Sequence, residues 1–303
     1  QSNPTYKIIT PKQSYVLRRK PPGKLLKSAH AVDREYTVIT ALNQTDVPVP
    51  KSYALCEDED VIGTAFYIME YKDGRVLWDP AMENSDQDEA KGVYESMNES
   101  MAKLHSVDPD KIGLSNYGKP GNYVGRQVSR RSKQYIDSET ETIESMNNLI
   151  EWLPKNLPTE KKTGIVHGDY SLTNVMIGKS DPNVIAILDW ELSTLGDPCA
   201  DFNYHCLQYT MNPKLADKEY CKQQGIPVID DYVKMYSERI DIDLTEEWDL
   251  YTAYNLFKLA GILQGILGRV RDGTAAHENA AERASGVRNL SDTAWDLVEK
   301  NFL

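Results

Sequence analysis

Cysteine is scarce in this chain of 303 residues. There are four, Cys56, Cys199, Cys206 and Cys221, and no two of them form a Cys-x-x-Cys pair. Neither a thiolate zinc site nor a disulfide framework is indicated, and reduced, partly buried thiols in a cytoplasmic protein are the expectation. Long apolar runs are missing as well. The most apolar stretch, Leu-Ala-Gly-Ile-Leu-Gln-Gly-Ile-Leu-Gly from Leu259, is broken by glycines and falls short of the ~20 residues a membrane-spanning helix needs. No signal peptide opens the chain, and neither an internal repeat nor a low-complexity tract is present. Positive charge is in deficit: 34 Lys and Arg stand against 46 Asp and Glu, a formal net charge of −12. A general nucleic-acid binder works by neutralising phosphates, and the acidic excess argues against that class. The acidic excess favours solubility and cationic partners.

What is present is an ordinary globular balance, 40% hydrophobic and 26% charged, in a chain long enough for two lobes with a sizeable core. Thr-Tyr-Lys-Ile-Ile-Thr and Ser-Tyr-Val-Leu-Arg-Arg-Lys, within residues 5–20, read as two strands joined by a Pro-Lys-Gln turn. Ser28 is placed to cap a helix running to about Ala41, whose apolar face recurs at Val32, Tyr36 and Ile39. Two more strands follow, around Tyr53 and from Thr64 to Tyr71. After Asp79 the periodicity turns helical. Tyr94, Met97, Met101 and Leu104 suit one core-facing helix, and further helices are predicted near 121–153, 199–212, 228–238, 246–270 and 283–301. Asp197-Pro198 reads as an N-cap followed by proline at the first helical position. A single hairpin interrupts this half. Its turn residues, Lys-Ser-Asp-Pro-Asn from Lys179, separate two apolar runs.

That hairpin carries the chemistry. Ile165-Val166 leads into a loop holding His167 and Asp169, the next strand begins at Asn174, and the return strand ends at Asp189. Opposite ends of a hairpin lie side by side, so Asn174 and Asp189 are expected to meet. Two hard oxygen donors at one strand pair suit Mg²⁺, which takes few protein ligands and leaves the rest to phosphate. Asp169, a loop away, is placed to accept a hydroxyl proton or orient the hydroxyl. Singly, such residues are ordinary turn formers. Together they match what phosphoryl transfer requires: a metal at the phosphates and a positioned nucleophile.

Written as a motif, His-Gly-Asp-x-x-x-x-Asn from His167 followed by Ile-Leu-Asp-Trp-Glu from Ile187 closely resembles the aminoglycoside phosphotransferase and choline-kinase-like family, relatives of the protein kinases. The resemblance covers nearly the whole chain. Leu-Arg-Arg-Lys-Pro-Pro-Gly from Leu17, Phe-Tyr-Ile-Met-Glu-Tyr from Phe66 and Gly-Asp-Pro-Cys-Ala-Asp-Phe from Gly196 look most like a subgroup that includes the kinase module fused to acyl-CoA dehydrogenases. It implies an α+β, protein-kinase-like two-lobe fold. Residues 1–71 would form a small antiparallel-sheet N-lobe, and 72–303 a larger, mainly helical C-lobe with the catalytic loop and substrate-binding helices.

The same resemblance implies ATP and Mg²⁺ as cofactors. Asp169 matches the catalytic aspartate, His167 the histidine that braces the catalytic loop, and Asn174 and Asp189 the metal ligands. Glu35 matches the helix glutamate that pairs with a strand cation. That cation is lysine in most kinases; here the aligned residue is Arg18, with Lys20 on the same strand face. Arginine can hold phosphate oxygens bidentately. Glu70, Tyr71 and Lys72 would offer backbone groups to adenine. Ser2 and Asn3 match the far side of the phosphate-covering turn, which in the family follows a strand, so an N-terminal strand is expected ahead of residue 1.

The function implied is transfer of the γ-phosphate to a hydroxyl of a small molecule. Only seven residues separate Asp189 from Asp197, too few for the long activation segment on which a peptide substrate docks. Arg126 and Arg130, in a basic helix, share one helical face and form a candidate clamp for a phosphate-bearing or otherwise anionic acceptor such as a hydroxyacyl-CoA. Arg269 and Arg271 could join it. The runners-up are an aminoglycoside phosphotransferase and a catalytically silent nucleotide-binding module.

Overall fold

The computed structural model describes residues 3–21, 31–275 and 279–303. Its strands are β1 (Thr5–Ile9), β2 (Ser14–Arg19), β3 (Ser52–Cys56), β4 (Phe66–Glu70), β5 (Gly164–Val166), β6 (Val175–Ile177), β7 (Val184–Ile187) and β8 (Thr194–Gly196). The helices of nine residues or more are α1 (Val32–Leu42), α2 (Gln87–Ser106), α3 (Tyr123–Ser138), α4 (Glu144–Trp152), α5 (Pro198–Cys206), α6 (Ile229–Ile240), α7 (Trp248–Arg271) and α8 (Val287–Phe302). A small antiparallel sheet followed by a mainly helical remainder is the α+β, kinase-like class the sequence implies. Two compact units interleave along the chain. The first holds Gln1–Gly118, Gly164–Leu195 and Gln208–Asp241, and the second Lys119–Thr163, Gly196–Leu207 and Ile242–Leu303.

The first unit is built on the sheet β1-β2-β4-β3. Its register sets Arg18 of β2 opposite Thr5 on one side and Tyr67 on the other. Helix α1 turns Val32, Glu35, Val38, Ile39 and Leu42 inward. The buried stripe is therefore rotated from the one expected: Tyr36 is only half-buried, and the acidic Glu35 takes a central place. Ser28, the expected cap of this helix, lies outside the described residues. Helix α2 buries Tyr94, Met97, Met101 and Leu104 as its periodicity demands. It starts at Asp86, whose carboxylate accepts from the Glu89 N–H at 2.8 Å and so satisfies one orphan amide of the first turn. Its Asn98 amide donates to the Tyr232 carbonyl of α6 at 2.9 Å. Strands β6 and β7 pair antiparallel, Val175 against Ile187. Asn174 closes a 3₁₀ turn just before β6, rather than opening the strand.

The second unit packs α3 and α8 against α7. Here the glycines that interrupt the apolar run become legible. A Cβ on Gly261 would lie 3.4 Å from the Arg131 Cβ, and one on Gly268 only 2.5 Å from the Ser138 Cβ. They are notches that let the two helices approach. The expected helix over 121–153 is two helices, α3 and α4. The last carbonyl of α3, that of Ser138, is taken at 2.6 Å by the Gln264 amide of α7, which satisfies the helix end without a further turn. The helix predicted near 199–212 stops at Cys206 before a separate turn, Gln208–Met211, and the one near 283–301 starts at Val287.

Helix α5 opens on Asp197, whose carboxylate accepts the Cys199 N–H at 2.8 Å and the Tyr251 hydroxyl at 2.8 Å, with Pro198 in the first turn. The residue is fully buried, and that burial pushes its carboxyl up to about 6 despite those two donors. The folded chain thus holds the proton more tightly than the unfolded one. This group's contribution to stability is fully present at low pH and is lost as the pH rises through about 6. Asp197→Asn keeps a capping oxygen and removes the titration. Between pH 4 and 7 the variant should therefore gain on its parent by about 3 kcal/mol in urea unfolding, at ~1.4 kcal/mol per unit of displacement. Parallel pH profiles of the two proteins would contradict this account.

Candidate active site

Strand β5 is buried along its length and delivers His167 into the core of the first unit. The imidazole Nε2 donates to the Leu188 carbonyl at 2.8 Å, and Nδ1 accepts the Asp169 N–H at 3.3 Å. Trp190 and Tyr170 meet the ring edge-on, with centroids 4.9 and 5.9 Å away. Both nitrogens are committed to main chain, so His167 has the contacts of a brace and not of an acid or base. Gly168 follows at φ +85°, and a Cβ there would sit 2.9 Å from the Leu192 carbonyl oxygen; only glycine fits without strain. The turn presents Asp169. The Asn174 amide nitrogen donates both to the Asp169 carbonyl at 2.8 Å and to its carboxylate at 3.1 Å. This clamp closes the loop and turns the amide oxygen of Asn174 into the atom a cation would take.

The other side of the site comes from the end of β7. The Leu188 N–H donates to the Asn174 carbonyl at 2.8 Å, holding the two strand ends together. Asp189 then adopts a left-handed backbone, φ 62° and ψ 64°, an uncommon conformation that favours Asn and Asp among non-glycine residues. Its carboxylate meets the Arg18 guanidinium at 2.6 Å, and the same guanidinium reaches Glu35 at 2.8 Å. Glu35 also accepts the Tyr67 hydroxyl at 3.0 Å and the Asn3 amide at 2.5 Å. Burial works against the Arg18 charge, but Glu35 and Asp189 outweigh it and hold the guanidinium above its ordinary range. Burial pushes the Glu35 carboxyl up, against the pull of Arg18, Tyr67 and Asn3.

Oxygens of Glu35, Asp189 and Glu191 lie within 4.8 Å of one another. Glu191, two residues past Asp189, has its carboxyl pushed up by burial and then by the neighbouring Asp189 charge. Three carboxylates facing one guanidinium leave a negative excess made of hard oxygen donors, a set that fits Mg²⁺ and not a thiolate metal. Glu191 stands in the quoted Ile-Leu-Asp-Trp-Glu motif, yet sequence reasoning gave it no role. Its proximity to Asp189 was the available signal. Tyr67, seated opposite Arg18 across the sheet, was missed as well, because a tyrosine inside an apolar strand reads as core.

The remaining expected site residues divide. Of the two candidate cations, Arg18 takes Glu35, whereas Lys20 reaches Asp33 at 3.9 Å. Asn3 is buried against Glu35 rather than turned outward, and Ser2 lies outside the described residues. The Glu70 N–H is spent on the Lys51 carbonyl at 2.8 Å, and its carboxylate pairs with Lys72 at 3.0 Å. The Tyr71 ring carries the Lys7 ammonium 3.6 Å from its centroid. In the second unit, Arg126 does not form a clamp with Arg130. It folds back onto the loop before its own helix, donating to the carbonyls of Gly121 and Lys119. Arg130 is exposed.

The sequence model of the phosphotransferase enzyme family matches residues 1–251. A mouse protein named acyl-CoA dehydrogenase family member 10 is 40% identical over 99% of this chain and 28% of its own length. Across the first such relatives the chain spans 28–40% of their lengths. The solved structure of a Ralstonia eutropha protein, provisionally described as an aminoglycoside phosphotransferase, superposes with a TM-score of 0.92. It is 47% identical and covers 99% of this chain and 90% of that one. Aminoglycoside phosphotransferase APH(4)-Ia, in ternary complex with AMP-PNP and hygromycin B, shares the fold at a TM-score of 0.64 and 12% identity, over 98% and 90% of the two chains. With a family model over most of its length and this kinase-like fold, the chain belongs to the phosphotransferase enzyme family.

Proposed function

We propose that the chain is an ATP- and Mg²⁺-dependent phosphotransferase that moves the γ-phosphoryl group to a hydroxyl of a small molecule. The observation that carries this reading is the joining of the Asp169–Asn174 clamp to Asp189 at the end of one hairpin, with Asp189 tied at 2.6 Å to Arg18. Asp169 would hold the proton of the attacking hydroxyl, and His167 would keep its loop in place. Asn174 and Asp189 would hold the metal, with Glu191 alongside, and Mg²⁺ would supply neutralisation of phosphate charge. Arg18, held by Glu35, would turn its fork to phosphate oxygens. Residues 1–71 would form the nucleotide lobe, with the main chain near Glu70, Tyr71 and Lys72 facing adenine. The AMP-PNP in APH(4)-Ia supports the choice of nucleotide.

For the acceptor we favour a hydroxylated, anionic metabolite of the hydroxyacyl-CoA type, in a protein of the cytoplasm. The relatives named as acyl-CoA dehydrogenases support that class, and the seven residues from Asp189 to Asp197 leave no platform for a peptide. The Ralstonia eutropha likeness favours an aminoglycoside instead. Phosphorylation of a panel of hydroxyacyl-CoA thioesters, aminoglycosides and choline decides between them; turnover confined to aminoglycosides would overturn the anionic acceptor.

Two variants test the machinery. Asp169→Asn should lower kcat by about 10²–10⁴-fold, the usual weight of a positioned base, with nucleotide binding retained in calorimetry. Turnover at the parental rate would remove Asp169 from its role. Asp189→Ala should abolish the Mg²⁺-dependent part of ATP binding, so that adding EDTA no longer changes the affinity. If EDTA weakens binding equally in parent and variant, the metal is held elsewhere.

A further inference from the structure

The second unit carries a basic groove that the catalytic reading leaves unused. It is a shallow, open depression of about 410 Å³ between α3 and α7, with Arg130 and Lys133 on one side and Arg269 and Arg271 on the other. The volume falls in the range of small-molecule sites. Two of the four cations are already matched: Lys133 pairs with Asp137 at 2.9 Å, and Arg271 with Asp272 at 2.8 Å. Arg130 and Arg269 are exposed, and among the described residues neither has an ion-pair partner. The groove thus holds two uncompensated positive charges in a chain whose formal net charge is −12.

Their placement follows from packing. Gly265 and Gly268 remove side chains from the α7 face that Gln134 and Ser138 of α3 press against. The helices approach closely, and the arginines that border this seam are held by rigid elements rather than by loops. Asp137 and Asp272 also line the groove, but they pair with Lys133 and Arg271, so the lining keeps a net positive charge. A guanidinium grips phosphate oxygens in pairs, and two such forks match a ligand with several oxygens and at least two charges. The flanking pairs are solvent-exposed and individually weak, so Lys133 and Arg271 can be recruited.

We propose that the α3–α7 groove is a binding site for a multiply charged phosphate ester of the diphosphate class, anchored by Arg130 and Arg269. Binding is read without turnover, so the proposal stands or falls apart from the catalytic assignment. The test titrates inorganic pyrophosphate into the whole chain in EDTA at low ionic strength, with sulfate at matched ionic strength as the control. Saturable binding is expected that sulfate does not reproduce and that weakens as salt is raised. The double variant Arg130→Ala/Arg269→Ala, checked for an unchanged circular dichroism spectrum, should bind at least tenfold more weakly. Independently of any variant, pyrophosphate should protect Arg130 and Arg269 of the parent from phenylglyoxal, as mapped by mass spectrometry. Equal affinity in the double variant, equal binding of sulfate, or protection of Arg18 without these two would overturn the proposal.

Discussion

One guanidinium sits between two acidic side chains brought from far apart in the sequence. Arg18 on β2 meets Glu35 on α1 and Asp189 after β7, so a strand, a helix and a hairpin all converge on its side chain. Removing the Glu35 carboxylate and most of the Arg18 side chain from water is costly, and the charges are paired, with further donors around Glu35. Tyr67 and Asn3 complete the shell of Glu35. Removing Arg18 would leave the Glu35 carboxylate buried without its cation, whereas Asp189 keeps part of its side chain in solvent. The constraint explains why α1 turns a carboxylate inward along with its apolar residues. The helix carries an ion pair to β2 alongside the apolar contacts of Val32, Val38 and Leu42.

The same economy of contacts holds the loop that faces Arg18. His167 spends both nitrogens on main chain, Gly168 takes a backbone that no other residue adopts easily, and Asp189 accepts a left-handed conformation. Unfavourable backbone geometry of this kind persists where the surroundings over-determine it, and at Asp189 it falls on a side chain of the site itself. The acidic excess of Glu35, Asp189 and Glu191 over Arg18 would give the first unit a place for a divalent cation. The arginines of the α3–α7 groove would give the second unit a place for an anion. In a chain that is acidic overall, the two features are of opposite sign and each is local.

Much of this was legible in the order of residues. The hairpin between Lys179 and Asn183 announced itself by turn chemistry, and the cap at Asp197 by the proline beside it. The core face of α2 followed from its periodicity. The motif from His167 to Glu191 carried the family, and with it the fold class. Less legible were the residues whose role depends on partners distant in sequence. Tyr67 gave no sign, since neither spacing nor composition says which residue a neighbouring strand places opposite, and Glu191 offered only its closeness in sequence to Asp189. Arg126 read as half of a clamp because helical spacing pairs it with Arg130, but its guanidinium donates to the loop carbonyls of Gly121 and Lys119 instead.

By itself, the sequence determined the local elements and the presence of the chemistry. Hydrophobic period, caps and turn residues act over a few positions, and a hairpin forces its own ends together. Only the tertiary structure decided that Arg18 and not Lys20 would meet Glu35, that glycines in α7 would serve as notches for α3, and that Arg130 and Arg269 would face one groove. Those outcomes depend on sheet register and helix approach, which are set by burial and close packing across the whole unit and leave no trace in the spacing of residues along a single segment.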